Sequence, residues 1–299
     1  MPAPFIDVWN VASFDLNLHA ALTADAALIR DFFETSRENF IQRELSDRTQ
    51  PHPTNPFADD IMDLKDRLHV LMSDRTIRGW HHTRMTDREV RTLRQDGIHV
   101  SSISSTRARI DALVADGAFS PAVADALMAA SPFTRGQADI RTNQFWVTSH
   151  PHEADDSAVE LLLESWGGEA AYFWLKDPEQ KLLLTKIGQP RIIEIAVPLR
   201  LTRHAYSAAE AVLSTFGRTL GSAPESRRFD LYSWHPLPPE AVLAVHSAGA
   251  PDFERIGRGY PVDYADPDLG RSEALFAEID ARRANGLSIA RTRVARDRN

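Results

Sequence analysis

The sequence predicts an α+β protein, in which helices come first and a body of short strands and helices follows. Apolar residues recur at helical spacing before Thr76, and segments rich in aromatic and β-branched residues recur after it. The strands do not alternate regularly with helices, which disfavours a doubly wound parallel sheet. We therefore expect a helical N-terminal region over residues 1–75, an α+β core over 76–250, and a C-terminal helix with a polar tail over 251–299.

The composition is that of a globular protein without thiol chemistry. Of the 299 residues, 43% are hydrophobic and 25% are charged, and none is cysteine, which excludes disulfides, thiolate nucleophiles and zinc–thiolate sites. A net charge of −8 does not favour general nucleic-acid binding, which needs clustered cations. The sequence has neither a long apolar run nor a secretory signal at its start, so we expect a cytoplasmic protein with no membrane partner.

Two helices are expected in the N-terminal region. The first spans about 24–44, with Thr23 as its cap, and the second runs from Ala58 to about Met72. The segment 50–57 contains three prolines and separates them as a loop.

The core begins with a predicted strand, TIRGWHHT (76–83). The sequence TDRE after it is a capping box, in which Thr86 and Glu89 satisfy each other's backbone N–H groups. The helix that it opens should run to Asp96 and end at Gly97.

The rest of the chain is predicted as short strands and helices of uneven length. The predicted strands are 98–103, 143–149, 170–175, 181–187, 191–199, 229–234 and 241–247. The predicted helices are two that end near Gly117 and Ala130, one over 156–166, one opened by a capping box at 207–210 and running to Leu220, and one from Ser272 to about Ala284.

The motif WHHTR (80–84) lies on the first predicted strand, before the capped helix, a Gly-Ile exit and a new strand. This order resembles the start of an ADP-ribosyltransferase-like domain of the diphtheria-toxin and poly(ADP-ribose) polymerase type. That group carries a first-strand histidine in a Trp-His-Gly-Thr or similar setting, and His82 stands where glycine or tyrosine is common. The later segments keep the family's order, so the resemblance extends over 76–247. It implies a split β-sheet core, here with a helical N-terminal region and a C-terminal helix.

The resemblance also implies an activity and a site. The chain would use NAD+ as a substrate and transfer ADP-ribose to a protein or nucleic-acid acceptor, or hydrolyse NAD+. The catalytic residues would be His81 and a carboxylate that heads the strand 229–234. That carboxylate is Asp230, where the family has glutamate, which is one methylene longer. The residues expected to bind NAD+ are His81, Thr83, Arg84, Phe145 and Trp146.

These residue types suit the chemistry. Breaking the nicotinamide–ribose bond develops positive charge on the sugar, which a nearby carboxylate stabilises. A neutral histidine can donate a hydrogen bond from one ring nitrogen to a ribose hydroxyl while a neighbour holds its tautomer, and an aromatic face holds the flat nicotinamide. Glu169 is a second candidate for the carboxylate, because it follows the pair Gly167-Gly168, at which a backbone can approach a ligand closely.

Each of these candidate residues also has a purely structural interpretation. His81 is equally typical of a packed, hydrogen-bonded histidine, and Asp230 and Glu169 of solvated surface carboxylates. Phe145 and Trp146 point to opposite faces of a strand, so one of them belongs to the core. His82 points away from the face that carries His81.

Two other functions remain open. The first is a non-catalytic module that binds a nucleotide or a partner on the same fold, which the aspartate at the glutamate position favours. The second is a metal-dependent hydrolase built on His150 and His152 of the segment SHPHEADD (149–156). That segment is not HExxH, and Asp155 or Asp156 is needed as a helix cap, so no metal is expected. The sequence also lacks GxGxxG after a strand, GxxxxGK[ST] and GxSxG, which removes the main support for Rossmann, P-loop and hydrolase-elbow functions.

Overall fold

The computed structural model describes residues 5–46, 53–134, 136–173, 175–225, 227–259 and 271–296. These residues form an α+β protein around one five-stranded antiparallel sheet, which confirms the predicted class. The strands are β1 (Thr76–Met85), β2 (Phe145–Thr148), β3 (Gln189–Pro198), β4 (Asp230–Ser233) and β5 (Val242–Ser247).

Helices precede, interrupt and follow the strands. The α-helices are α1 (Leu16–Ala24), α2 (Ala26–Leu45), α3 (Ala58–Ser73), α4 (Asp87–Asp96), α5 (Ile103–Ala115), α6 (Pro121–Ala130), α7 (Ala138–Arg141), α8 (Glu160–Glu164), α9 (Glu169–Tyr172), α10 (Pro178–Thr185), α11 (Ala205–Thr219) and α12 (Arg271–Arg296). Short 3₁₀ turns occupy Val11–Ser13, Pro132–Thr134, Leu199–Leu201, Pro239–Ala241 and Phe253–Arg255. None of the helices in the described ranges is long and apolar enough to cross a membrane.

The strand that carries WHHTR lies at the centre of the sheet. The strand order is β4-β2-β1-β3-β5, and neighbouring strands are antiparallel. β1 pairs with β3 along its whole length, whereas β1 and β2 pair through Trp80 and Thr148. The sheet therefore consists of a long β1–β3–β5 part and a short β2–β4 part that meet at this pair.

One face of the sheet packs against α11 and the N-terminal helices. Ile77 of β1 and Ile195 of β3 share a buried cluster with Leu18, Leu68 and several alanines of α11. Burial of this apolar surface is the main force that holds these elements together. The N-terminal helices and the sheet thus share one hydrophobic core.

The other face of β1 packs against α8 and a loop after β5. Trp80 and Ile192 form a second buried cluster with Val159, Leu163 and Phe253. β1 is therefore covered on both faces, so side chains on either face of it can line an enclosed site.

The N-terminal helices are confirmed, but the predicted cap is wrong. Thr23 lies inside α1, and α2 begins after Asp25. The second predicted helix is confirmed as α3. Part of the predicted loop 50–57 falls outside the described residues.

The helix after β1 forms as predicted, and the strand after it does not. The Thr86 and Glu89 side chains form the capping box of α4, and Gly97 ends the helix with a φ of 83°. The segment 98–103 contributes one isolated bridge, from Ile98 to Leu237, and then enters α5.

Two predicted strands are helices. Residues 170–172 of the first segment lie in α9 and residues 181–185 of the second lie in α10, with Trp174 outside the described residues. Asp177 caps α10 by accepting a hydrogen bond from the Glu179 N–H, and Pro178 occupies its first position, a combination that favours a helix. The helix predicted over 156–166 is shorter, because α8 covers 160–164.

The C-terminal elements are confirmed with different helix starts. α5, α6, α11 and the strands β2 to β5 lie where helices or strands were predicted. α11 begins at Ala205, so Ser207 lies within the helix and the predicted capping box at 207–210 is wrong. α12 includes Ser272 and extends past Ala284 to Arg296.

Candidate functional site

His81 is held by the backbone of the neighbouring strand. Its Nδ1 lies 2.9 Å from the carbonyl oxygen of Trp146, and its ring centroid lies 4.6 Å from that of Phe145. Because a carbonyl can only accept a hydrogen bond, Nδ1 is the protonated nitrogen. In the neutral ring, Nε2 therefore carries the lone pair and can accept a hydrogen bond from a ligand.

Burial keeps His81 neutral. Desolvation lowers the pKa of His81 to about 4, against the opposing effect of the Trp146 carbonyl, and the Arg109 guanidinium lowers it further. At neutral pH the ring is thus an uncharged imidazole of fixed tautomer.

Arg109 belongs to a polar cluster that the sequence did not indicate as a site. Its guanidinium lies 2.8 Å from Glu89 Oε1 and 4.9 Å from the centre of the Trp166 ring, and Trp166 Nε1 donates to Glu89 Oε2 at 3.0 Å. Burial opposes ionisation of Glu89, but Arg109 and the hydrogen bonds hold the pKa of Glu89 below its usual range. The sequence identified Glu89 only as a capping residue.

Thr83 and Arg84 lie on opposite faces of β1. Thr83 is buried and shares the face of His81, two residues earlier. Arg84 donates to the carbonyls of Ile187 at 2.8 Å and Gly188 at 3.0 Å. Its guanidinium ties β1 to the chain that leads into β3, so the structure gives Arg84 a structural role.

The two candidate aromatic residues also separate. Phe145 packs against the main core beside His81. The Trp146 side chain is 47% exposed, lies with its ring centroid 4.6 Å from that of Tyr232, and donates to Gln144 Oε1 at 3.0 Å. The backbone carbonyl of Trp146, and not its indole, is what contacts His81.

Asp230 does not lie beside His81 and Phe145. It heads β4, opposite Thr148 of β2, and its side chain is exposed. Strand alternation puts Asp230 on the face of Trp146, while Phe145 shares the inward face with the buried Leu231. Asp230 thus lies on the outward face of the β2–β4 part, away from Phe145.

Glu169 has a partner elsewhere. It is the first residue of α9 and not of a strand, its side chain is 51% exposed, and Arg141 Nη1 lies 3.0 Å from its Oε2. The carboxylate of Glu169 is thus engaged in a surface ion pair with Arg141.

A histidine cluster lies on the opposite face of β1. His82 is 3% exposed and His150 is 6% exposed, and their ring centroids lie 5.6 Å and 4.3 Å from that of His152. Desolvation, with a contribution from His152, lowers the pKa of both His82 and His150 to about 3. His152 Nδ1 lies 2.8 Å from Asp156 Oδ2.

This cluster borders a cleft of about 380 Å³. The residues that line the cleft are Pro151, His152, Glu153, Asp155, Asp156, Arg228 and Gly257. Over the part of the chain that the structure describes, no three His, Asp or Glu side chains are arranged to hold a metal ion. The sequence indicated Asp156 only as a helix cap and did not predict its hydrogen bond to His152.

Comparison with known proteins gives no relative: no protein-family model, curated protein or solved structure matches the chain. Its function therefore has to be argued from the geometry of the residues.

Proposed function

We propose that the chain binds NAD+ at the His81–Phe145 pair and acts as an ADP-ribosyltransferase, the activity that the resemblance of the WHHTR motif implies. It would transfer ADP-ribose to a protein or nucleic-acid acceptor, or to water. The observation that carries the proposal is a neutral His81 whose tautomer is held by the Trp146 carbonyl. Such a ring accepts a hydrogen bond from a ribose hydroxyl through Nε2 without the cost of losing a proton.

The strand order supports the proposal. The histidine strand β1 is flanked by the aromatic strand β2, and β2 is flanked by β4, which begins with Asp230. The three strands that the hypothesis needs are therefore neighbours in the sheet, although 59 residues separate β1 from β2 in the sequence and 81 separate β2 from β4. Adjacent strands lie about 5 Å apart, so the three strands lie side by side, although Asp230 is on the opposite face of the sheet from Phe145.

The neighbours of His81 have fitting chemistry. The Phe145 ring offers a face for nicotinamide or adenine. Arg109 acts on His81 through its charge and is a candidate contact for the pyrophosphate of NAD+. Thr83, on the same face of β1, would support the ribose contact. Arg84, which is engaged by two backbone carbonyls, is left out of this set.

A second candidate is a module that binds NAD+ without turnover. The outward position of Asp230 and the pairing of Glu169 with Arg141 favour it, because neither carboxylate reaches the His81–Phe145 pair. A reaction that develops positive charge on the ribose needs a nearby carboxylate for most of its rate.

Measuring nicotinamide release separates these functions. Purified protein is incubated with NAD+ labelled in the adenylate half, and free nicotinamide and label on co-purified macromolecules are quantified. The enzyme predicts release that His81→Ala abolishes and that His99→Ala, at an exposed histidine, leaves unchanged. Saturable NAD+ binding without release would establish the binding module instead. A folded protein that neither binds nor cleaves NAD+ would contradict both.

The carboxylate is tested in the same assay. If Asp230 takes part in turnover, Asp230→Asn lowers release by about 100-fold, as expected for a misplaced or neutralised catalytic group. If release is unchanged in Asp230→Asn and lost in Glu169→Gln, Glu169 is the functional carboxylate.

A further inference from the structure

The cleft beside the histidine cluster lies on the face of β1 opposite to His81, and the proposed function does not use it. His152 lines this cleft, and Asp156 accepts a hydrogen bond from its Nδ1. In the neutral ring the lone pair is then on Nε2. Asp156 holds its own position because its Oδ1 accepts from the Ala158 N–H at 2.9 Å. In its neutral form the His152 ring, held by Asp156, is thus an oriented hydrogen-bond acceptor.

The wall of the cleft is rich in acceptors. The carboxylates of Glu153, Asp155 and Asp156 line it together with His152, whereas Arg228 is the lining residue with a cationic side chain. Glu153 Oε2 accepts from Arg258 Nε at 2.6 Å, and Asp155 also accepts from Arg258. Each carboxylate oxygen has a further lone pair for a ligand donor.

Buried histidine nitrogens beside the cleft lack hydrogen-bond partners within the described ranges of the chain. Among the described residues, His82 Nε2 and both ring nitrogens of His150 have no hydrogen-bond partner. Both side chains are more than nine-tenths buried, and their rings contact the ring of His152. Buried polar groups without partners are rare in native proteins, so each of these nitrogens calls for an explanation.

We propose that this cleft binds a small polyhydroxylated ligand, either a free sugar or the ribose of a nucleoside. A vicinal diol can donate to His152 Nε2 and to a carboxylate while its oxygens accept from Arg228. The three carboxylates outnumber the guanidinium groups of Arg228 and Arg258, which disfavours an anionic ligand electrostatically. The volume is at the lower end of ligand pockets, which run from about 300 to 1,000 Å³, and suits a single sugar unit. None of these residues belongs to the His81–Phe145 pair, so this site does not depend on the NAD+ proposal.

The proposed sugar site can be tested by NMR of the histidine side chains. Protein labelled with ¹⁵N in histidine is titrated with D-ribose, with adenosine and with inorganic phosphate, and the imidazole nitrogen signals are recorded. The site predicts a saturable shift of His152 Nε2 with D-ribose or adenosine, and a weaker response to phosphate. Asp156→Asn keeps the shape of the side chain but reverses the hydrogen bond to His152, and we expect it to weaken sugar binding by about ten-fold.

The control is Asp111→Asn, at a surface carboxylate on α5 that is paired with Arg107, and it should bind sugar as the wild type does. A shift with adenosine alone would assign the site to a nucleoside ribose, and equal shifts would assign it to a free sugar. No shift with either, or a stronger response to phosphate, would overturn the proposal. Because Asp156→Asn leaves His81 intact, NAD+ binding by this variant shows whether one site fails without the other.

Discussion

His81 Nδ1 lies 2.9 Å from the carbonyl oxygen of Trp146, so a side chain of β1 is held by the backbone of β2 at the point where the two parts of the sheet meet. Trp80, the residue before His81, pairs with Thr148 across the same junction. The tautomer of His81 is therefore a consequence of how β1 and β2 pair. A substitution that changes this pairing should alter the candidate site even when every site residue is kept.

The two aromatic residues of β2 should differ in their effect on NAD+ binding. Phe145→Leu removes the ring beside His81, and we expect the Kd for NAD+ to rise about ten-fold, the size of one lost aromatic contact. Trp146→Leu removes an outward indole but keeps the carbonyl that holds His81, so the Kd should change little. A larger loss in Trp146→Leu than in Phe145→Leu would place the nucleotide on the outward face.

The buried histidines should make the protein less stable in mild acid. The pKa of His82 in the folded protein is about 3, below its ordinary value of 6.5. Between these values the unfolded chain binds a proton that the folded protein does not, so the free energy of unfolding falls as the pH drops through this window. The slope is about 1.4 kcal/mol per pH unit for each such histidine.

Urea denaturation at pH 7 and pH 5 measures this slope. His82→Asn should lower this slope by about 1.4 kcal/mol per pH unit, the contribution of one proton. His99→Asn, at an exposed histidine, should leave the slope unchanged. Equal slopes for His82→Asn and the wild type would show that His82 is already protonated or solvated in the folded protein.

His246 should have the opposite pH dependence. Burial alone lowers its pKa, but hydrogen bonds to Glu194, at 2.8 Å, and to Asp252 outweigh burial and raise the pKa of His246 above 6.5. Its contribution to stability is present below pH 6.5 and is lost as the pH rises through the raised value. His246→Gln should therefore cost about 3 kcal/mol at pH 6 and less at pH 9.

The matched control for this prediction is His235→Gln, at an exposed histidine, which should have little effect at either pH. A cost of His246→Gln that is equal at pH 6 and pH 9 would mean that the ion pairs with Glu194 and Asp252 do not stabilise the fold.

Gly188 should tolerate no side chain. Its φ is +62°, and a Cβ would lie 2.4 Å from the carbonyl atoms of Met85 at the end of β1. Gly221 has a similar φ of +84°, but a Cβ there would have no described atom within 4 Å. We expect Gly221→Ala to cost about 1 kcal/mol of backbone strain and Gly188→Ala about 2–4 kcal/mol, because overpacking is added. Equal melting temperatures for the two variants would contradict the packing of this loop against β1.

Local signals in the sequence predicted where helices lie better than they predicted which strands pair and in which register. The capping box of Thr86 and Glu89 and the stop at Gly97 are interactions within one turn, so they survive in any tertiary context. The run KLLLTKI (181–187) was wrongly predicted as a strand, because a short apolar run suits a buried helix equally well. Asp177 and Pro178 before it carried the helix signal.

The face on which each site residue lies could not be predicted. A shift of one residue in strand register turns every side chain to the other face of a sheet, and no local signal sets the register between distant strands. This is why Phe145 meets His81 while Asp230 points outward. It is also why the contacts of His82 with the distant His152 appear only in the folded chain.

Titration calorimetry of NAD+ into the wild type, His81→Ala and His99→Ala tests the central claim most directly. We expect saturable binding to the wild type and to His99→Ala, and a Kd at least about ten-fold higher for His81→Ala, since a ribose hydrogen bond and a ring contact are lost together. Equal affinity of the folded His81→Ala protein, or no binding to the wild type, would contradict the account and leave His81 as a packed histidine of the sheet.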